Sequence, residues 1–346
     1  MQVLVYGAGA IGNFIGGQLL QSGVDVTFVA RGVNYEALAQ KGLTMIWDDT
    51  QQVQQKVLVK RPGELRKKFD VIYVTLKAMQ LAEAAQDIQS LLANNGVMVM
   101  IQNGLPWWYF QNISSRWQGR TLQSLDRDQT LAKQINLAQV IGAVIYRPIT
   151  MKEPGQITIN RYASEKLIIG EVDNQLTDRL EKIRDLTHFS GIQTQITSDI
   201  RAAKWNKLMV NLVWNPLCAL TRRAPGYIAA FPGGTKLVTD LFNEGKTVAS
   251  SLGVTVSIDE QSELKRVQSI FNEKPSMFHD AINGRPMEIE AIVNVVIECA
   301  QITQTPTPNL NMLATYIGLL NQHLQEVQVM QEQKRGRFAQ TCWQKN

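Results

Sequence analysis

The chain is poor in the residues that build disulfide and metal frameworks. Its 346 residues include only three cysteines, Cys218, Cys299 and Cys342, with no CxxC pair, which speaks against a disulfide scaffold and a zinc cluster alike. Three histidines, His188, His279 and His323, lie far apart in sequence. No His-rich metal site or His-based triad is drawn, so chemistry without a metal is expected. No apolar run reaches the length needed to span a bilayer, and 11 prolines are too few for long disordered tracts. The opening MQVLVYGAG enters a strand pattern with no basic leader or cleavage site, so a cytoplasmic location and no membrane partner are expected. Acidic residues are slightly outnumbered, giving a net charge of +5. That excess can steer anions toward a cleft or simply serve solubility. The densest basic cluster, KRGR at 334–337, lies in a Gln-rich tail. No basic patch interleaved with aromatics occurs, so no nucleic-acid partner is expected.

A hydrophobic fraction of 45% and a charged fraction of 19% place the chain among globular proteins. Its length suggests two domains. The first half alternates strand runs (QVLVY at 2–6, DVTFVA at 25–30, FDVIYVTL at 69–76, GVMVMIQ at 96–102, VIGAVIYRPI at 140–149, then QITIN and KLIIG) with helical stretches. Such alternation predicts a doubly wound α/β domain with a parallel sheet. From about Thr197 helical periods take over, at 199–213, 234–252, 259–271, 288–303 and 310–330. The expected organisation is an N-terminal Rossmann-type dinucleotide-binding domain over 1–195, an all-α domain over 196–330 and a polar tail over 331–346. Residues 111–137 are polar, weakly patterned and read as a surface insertion.

The GAGAIG turn sets Gly7, Ala8, Gly9, Ala10, Ile11 and Gly12 between the first strand and a helix, in a GxGxxG spacing. Gly7 would permit the tight turn, Gly9 a close approach of backbone to pyrophosphate, and Gly12 close packing of helix on strand. The anion would then sit at the positive helix N-terminus. Sites for NAD usually carry an acid at the end of the second strand to bind the ribose hydroxyl. This chain has Arg31 there, and a guanidinium suits a 2′-phosphate by charge and shape. NADP(H) is the expected cofactor, with a solvated surface Arg31 as the plain alternative.

The run KWNKLMVNLVWNPL at 204–217 is apolar apart from a polar face. At about 100° per residue Lys207, Asn211 and Asn215 share that face, while Trp205, Leu208 and Leu212 line another. A lysine and two amides beside an apolar stripe need partners if buried.

Taken in order, GAGAIG, AR at 30–31, LKAMQ at 76–80, QNG at 102–104, KWNKLMVNLVWNPL, PSMFHD and MEIE at 275–290 resemble the ketopantoate reductase family, the 2-dehydropantoate 2-reductases. The resemblance runs from residue 1 to about 325. It implies NADPH-dependent reduction of a 2-oxo acid, 2-dehydropantoate to pantoate in pantothenate biosynthesis. By that resemblance Lys207 is the proton donor to the carbonyl oxygen, and Asn211, Asn215 and Ser276 bind substrate. Glu288 lies close to cofactor and lysine, Lys77 at the cofactor, and Asn103 at cofactor and substrate.

Taken singly, each residue has a simpler use. Lys207 could be an exposed helix lysine like Lys204, Asn215 a cap before Pro216, and Asn103-Gly104 a turn. Ser276 and Glu288 could be surface residues, and His279 reads as structural. Several departures bear on the substrate: QNG continues as LPWWYF, Asn294-Val295 replaces a frequent Asn-Gly, and Pro225 stands where some members carry a polar residue. A reductase of a different 2-oxo acid and a non-catalytic NADPH-binding regulator are therefore alternative readings. The apolar faces of 288–303 and 310–325 leave intrachain packing and a homodimer both open.

Overall fold

The computed structural model describes residues 1–47, 50–160 and 166–343, with side chains to residue 330. It divides into two compact units, Met1–Lys204 and Trp205–Asn346.

The strands of the first unit are β1 (Val3–Tyr6), β2 (Val26–Val29), β3 (Leu43–Trp47), β4 (Gln51–Gln55), β5 (Leu58–Lys60), β6 (Phe69–Val74), β7 (Leu92–Met100), β8 (Val140–Tyr146), β9 (Ile149–Glu153), β10 (Gln156–Ile159), β11 (Lys166–Glu171) and β12 (Thr194–Ile196). The helices between them are α1 (Ala10–Gln21), α2 (Gly32–Lys41), α3 (Leu81–Leu91), α4 (Gln123–Asp126), α5 (Thr130–Gln134) and α6 (Asp178–Phe189). Eight strands make the main sheet in the order β12-β11-β8-β7-β6-β1-β2-β5. From β5 to β8 every pairing is parallel, as the alternating pattern predicts. The edge departs from that prediction, because β11 runs antiparallel to β8.

Alternation places β1 in both halves of the core. Val3 and Val5 pack with Phe14, Ile15 and Phe28 on one face, while Leu4 and Tyr6 pack with Ile72, Val74 and Ile88 on the other. Burying each such side chain is worth about 1.5–3 kcal/mol before the entropy of ordering is set against it. A second sheet, β4-β3-β10-β9, was not legible in the sequence, and the QITIN run belongs to it. Its strand β4 reads QQVQQ, too polar to announce itself, yet it pairs along all of β3.

The polar stretch 111–137 is more than a surface insertion. Leu122, Leu131 and Ile135 are buried. The buried Asp126 carboxylate accepts from the amides of Leu131 and Ala132 at 2.9 and 3.0 Å, anchoring α5.

Helix α7 (Ile200–Thr221) crosses the division between the units. It runs through Pro216, which lacks the amide that would bond the Leu212 carbonyl. The second unit continues with α8 (Pro225–Ala230), α9 (Gly234–Ser251), α10 (Glu260–Val267), α11 (Ser276–Ile282), a π-helical turn at Glu290–Asn294, α12 (Val295–Thr303) and α13 (Pro308–Trp343). Helix α9 crosses α7 closely: a Cβ on Gly245 would lie 2.7 Å from the Met209 methyl. Helix α13 covers most of the segment read as a tail, but the side chains of KRGR and Cys342 lie outside the described residues. Among the described residues no helix is long and apolar enough to cross a membrane, and no cluster of His, Cys, Asp and Glu could hold a metal ion. Cys218 and Cys299 are buried free thiols.

Candidate active site

In the first unit the expected cofactor residues gather at the carboxyl ends of neighbouring parallel strands. Along β2-β1-β6-β7 the strand exits carry Arg31, the GAGAIG turn, Lys77 and Asn103 in turn. The chain passes from β1 to β2 on one side and returns to β6 on the other. Such a switch point is where open α/β sheets bind ligands.

Gly7 and Gly12 show separate constraints, while Gly9 has open space around it. Gly7 has φ +109°, a region that disfavours side chains. A Cβ on Gly12 would fall 2.1 Å from the Gly7 carbonyl oxygen and 2.6 Å from Thr75 Oγ1, whereas one on Gly9 would meet nothing within 4 Å. The turn is held from several sides. The amides of Gly7 and Ala8 donate to the Val29 carbonyl, and the side-chain amides of Asn13 and Asn34 both donate to the Ala8 carbonyl at 3.3 Å. Gly9 caps α1 without any side chain, so the first amides of the helix face outward over an open approach. An anionic group fits there.

Arg31 is exposed at the start of α2 and pairs with Glu83 of α3 at 3.0 Å. An exposed ion pair of this kind is worth at most about 1 kcal/mol, weak enough for a phosphate dianion to displace. Lys77 and Asn103 are half-buried. Trp107, Trp108, Tyr109 and Phe110, which follow Asn103, are all buried in this unit. The aromatic run is therefore a core plug.

In the second unit Lys207, Asn211 and Asn215 lie at successive turns of one face of α7, while Trp205, Leu208 and Leu212 are fully buried on another. Burial lowers the Lys207 pKa from its ordinary 10.5 to about 8, against an opposing pull from the nearby Glu288 carboxylate. Glu288 is itself buried, 7% exposed, just before the π-helical turn rather than on the regular helix predicted over 288–303. Its neighbour Met287 donates its amide to Asn321 Oδ1 on α13 at 3.1 Å, fixing the approach. Asn215 is 2% exposed, and its side-chain nitrogen has no hydrogen-bond partner among the described residues. An unpaired buried donor carries a penalty of about 1–3 kcal/mol, which a bound acceptor would relieve. Ser276 is exposed as the first residue of α11. His279 is half-buried, with burial and then Lys274 and Arg285 lowering its pKa.

The family model of ketopantoate reductase PanE/ApbA matches residues 3–174, and that of its C-terminal domain matches residues 199–321. The chain belongs to the ketopantoate reductase family. Within that family it is 31% identical over 321 residues to the 2-dehydropantoate 2-reductase of Mesorhizobium japonicum, covering 92% of this chain and 98% of that one. The crystal structure of 2-dehydropantoate 2-reductase from Geobacter metallireducens shares 26% identity and superposes with a TM-score of 0.80, covering 92% of this chain and 99% of the other. The ternary structure of D-mandelate dehydrogenase with NADH and anilino(oxo)acetate has the same fold, with a TM-score of 0.80 at 21% identity over 94% and 99% of the two chains. The chain is thus an oxidoreductase of a dinucleotide-dependent family.

This ketopantoate reductase homologue also uses residues that the sequence reading passed over. Lys204, which in sequence alone resembles an exposed helix lysine, is 3% exposed and donates to the Gln102 carbonyl at 2.7 Å. Arg201 is 5% exposed and donates to the carbonyls of Tyr109, Gln111 and Val172 at 2.8, 2.7 and 2.6 Å. A signal was there. Stepping back four and seven residues from Leu208 along the apolar stripe reaches Lys204 and Arg201, and a cation on a buried stripe demands partners.

Proposed function

We propose that the chain is an NADPH-dependent 2-oxo acid reductase that converts 2-dehydropantoate to pantoate on the way to pantothenate and coenzyme A. The observation that carries this reading is the Lys207 amine, desolvated beside Glu288 with a pKa of about 8. Reducing a ketone to an alcohol requires a proton at the carbonyl oxygen. A lysine of this acidity is still charged at neutral pH yet gives up its proton far more readily than an ordinary one. Glu288 keeps the ammonium populated. Asn211 and Asn215 offer amide donors and acceptors along the same face without adding charge. The unsatisfied Asn215 nitrogen is suited to a substrate oxygen. Ser276 would grip the carboxylate and hydroxyl end.

In the first unit the backbone from Gly7 to Gly12 would hold the pyrophosphate at the head of α1. Arg31 would hold the 2′-phosphate, and Lys77 and Asn103 would line the cofactor, with Asn103 also facing the substrate. When bound, the nicotinamide supplies the hydride. The name of the Mesorhizobium relative, at 31% identity, supports 2-dehydropantoate as substrate. Burial of the aromatic run removes one reason to expect a reshaped pocket.

The test follows NADPH and NADH absorbance with the purified protein, 2-dehydropantoate and a panel of other 2-oxo acids. Rapid NADPH oxidation with 2-dehydropantoate, and slower reaction with NADH, is the expected result. Turnover confined to another oxo acid would move the substrate, and binding without turnover would point to a regulator.

A further inference from the structure

We propose that Lys204 and Gln102 form a positioning relay that holds the exits of β6 and β7 in register, and with them Lys77 and Asn103. The inference rests on the reading of those two residues as cofactor-side groups. It begins with Gln102, which lies immediately before Asn103. The Gln102 side-chain nitrogen donates to the carbonyls of Val74 and Leu76 at 2.9 and 3.3 Å. Those carbonyls belong to the last residue of β6 and to the turn that leads into Lys77, so one amide staples the two strand exits. The backbone carbonyl of the same Gln102 accepts from Lys204 Nζ at 2.7 Å. Gln102 is thus gripped at both ends.

The relay extends to the glycine turn. Thr75, between Val74 and Leu76, donates its hydroxyl to the Gly7 carbonyl at 2.5 Å. Three strand exits are therefore stitched in sequence: Gly7 through Thr75, the 74–77 turn through Gln102, and Asn103 through Lys204. Arg201 adds a second hold farther along the same loop, at the Tyr109 and Gln111 carbonyls.

Burying an ammonium is expensive, and a stripe residue with no other task would be apolar. A charge-assisted bond to a carbonyl is about twice as strong as a neutral one. It fixes the donor's partner more tightly than a leucine contact would. Lys204 lies one turn before Lys207 on the continuous helix α7. It acts through Gln102, so it is a positioning residue rather than a catalytic one.

The test compares Lys204→Met, which keeps the stem and removes the donor, with Lys204→Arg, with Asn103→Ala and with the Lys204→Met/Asn103→Ala pair. Hydrogen exchange of the free protein reads the loop without cofactor, while kcat and KM for dinucleotide and substrate read the chemistry. We expect faster exchange at 102–105 and 75–77 in Lys204→Met, and a loss of kcat/KM of about tenfold or more from misplaced groups. Lys204→Arg recovers most of that loss. In the Asn103→Ala background Lys204→Met costs little further, because the group it positions is gone.

An equal loss in both backgrounds would overturn the proposal while leaving the role of Asn103 intact. So would unchanged exchange and kinetics, or a general fall in stability that arginine does not rescue. If Asn103→Ala turns over like the wild type, the cofactor-side reading itself fails and the relay falls with it.

Discussion

Lys204 and Lys207 sit three residues apart on α7, and burial treats them differently. Lys204 meets a backbone carbonyl, whereas Lys207 loses basicity to burial, against the opposing pull of the Glu288 carboxylate. The sequence showed Lys207 through its polar face with Asn211 and Asn215, but it did not show Lys204. A lysine on an apolar stripe looks like any exposed lysine until its partner, a hundred residues away, is folded against it. The pKa of about 8 has two consequences of opposite kind. On the proposed mechanism reduction needs the protonated amine, so kcat/KM is expected to fall as pH rises through about 8. In Glu288→Gln the carboxylate that favours the ammonium is gone, and the falling limb moves to lower pH. A profile measured from pH 6 to 10 checks this, and an unmoved limb would separate Glu288 from the lysine. Stability takes the opposite slope. Between about 8 and 10.5 the unfolded chain binds the lysine proton and the folded chain does not, so this group adds stability as pH rises through that window.

At the scale of elements, the glycine turn was the most legible feature, because Gly7 and Gly12 each answer a backbone or packing demand that a residue with a side chain meets poorly. Gly12→Ala would push a methyl into the Gly7 carbonyl and Thr75 hydroxyl. The expected cost is about 1–3 kcal/mol for overpacking, with weaker dinucleotide binding from a displaced turn. Urea unfolding and a fluorescence titration of bound NADPH check the two effects. Full stability with wild-type affinity would show that the turn can shift, and would remove the argument for Gly12. The small sheet was illegible for the converse reason. Strand β4 earns its structure by pairing with β3 and not by its own hydrophobicity, and edge pairing leaves no period in a glutamine-rich segment. Asp126 was hidden in the same way, since a lone acid in a polar stretch gives no hint that two backbone amides await it.

Across the whole molecule, an α/β unit is followed by a helical one, with α7 running from the first into the second. That succession was readable because strand and helix periods differ and change over near residue 197. The antiparallel edge was not readable, because a buried strand run has the same pattern in either direction. On the proposed mechanism the chain's chemistry comes down to one amine, that of Lys207. The most direct measurement is the rate of NADPH oxidation with 2-dehydropantoate in Lys207→Ala against the wild type, with NADPH affinity measured alongside. Removing the proton donor should lower kcat by about 10²–10⁴-fold while leaving NADPH affinity little changed. Turnover within a few-fold of the wild type would contradict the assignment of Lys207 and the mechanism built on it.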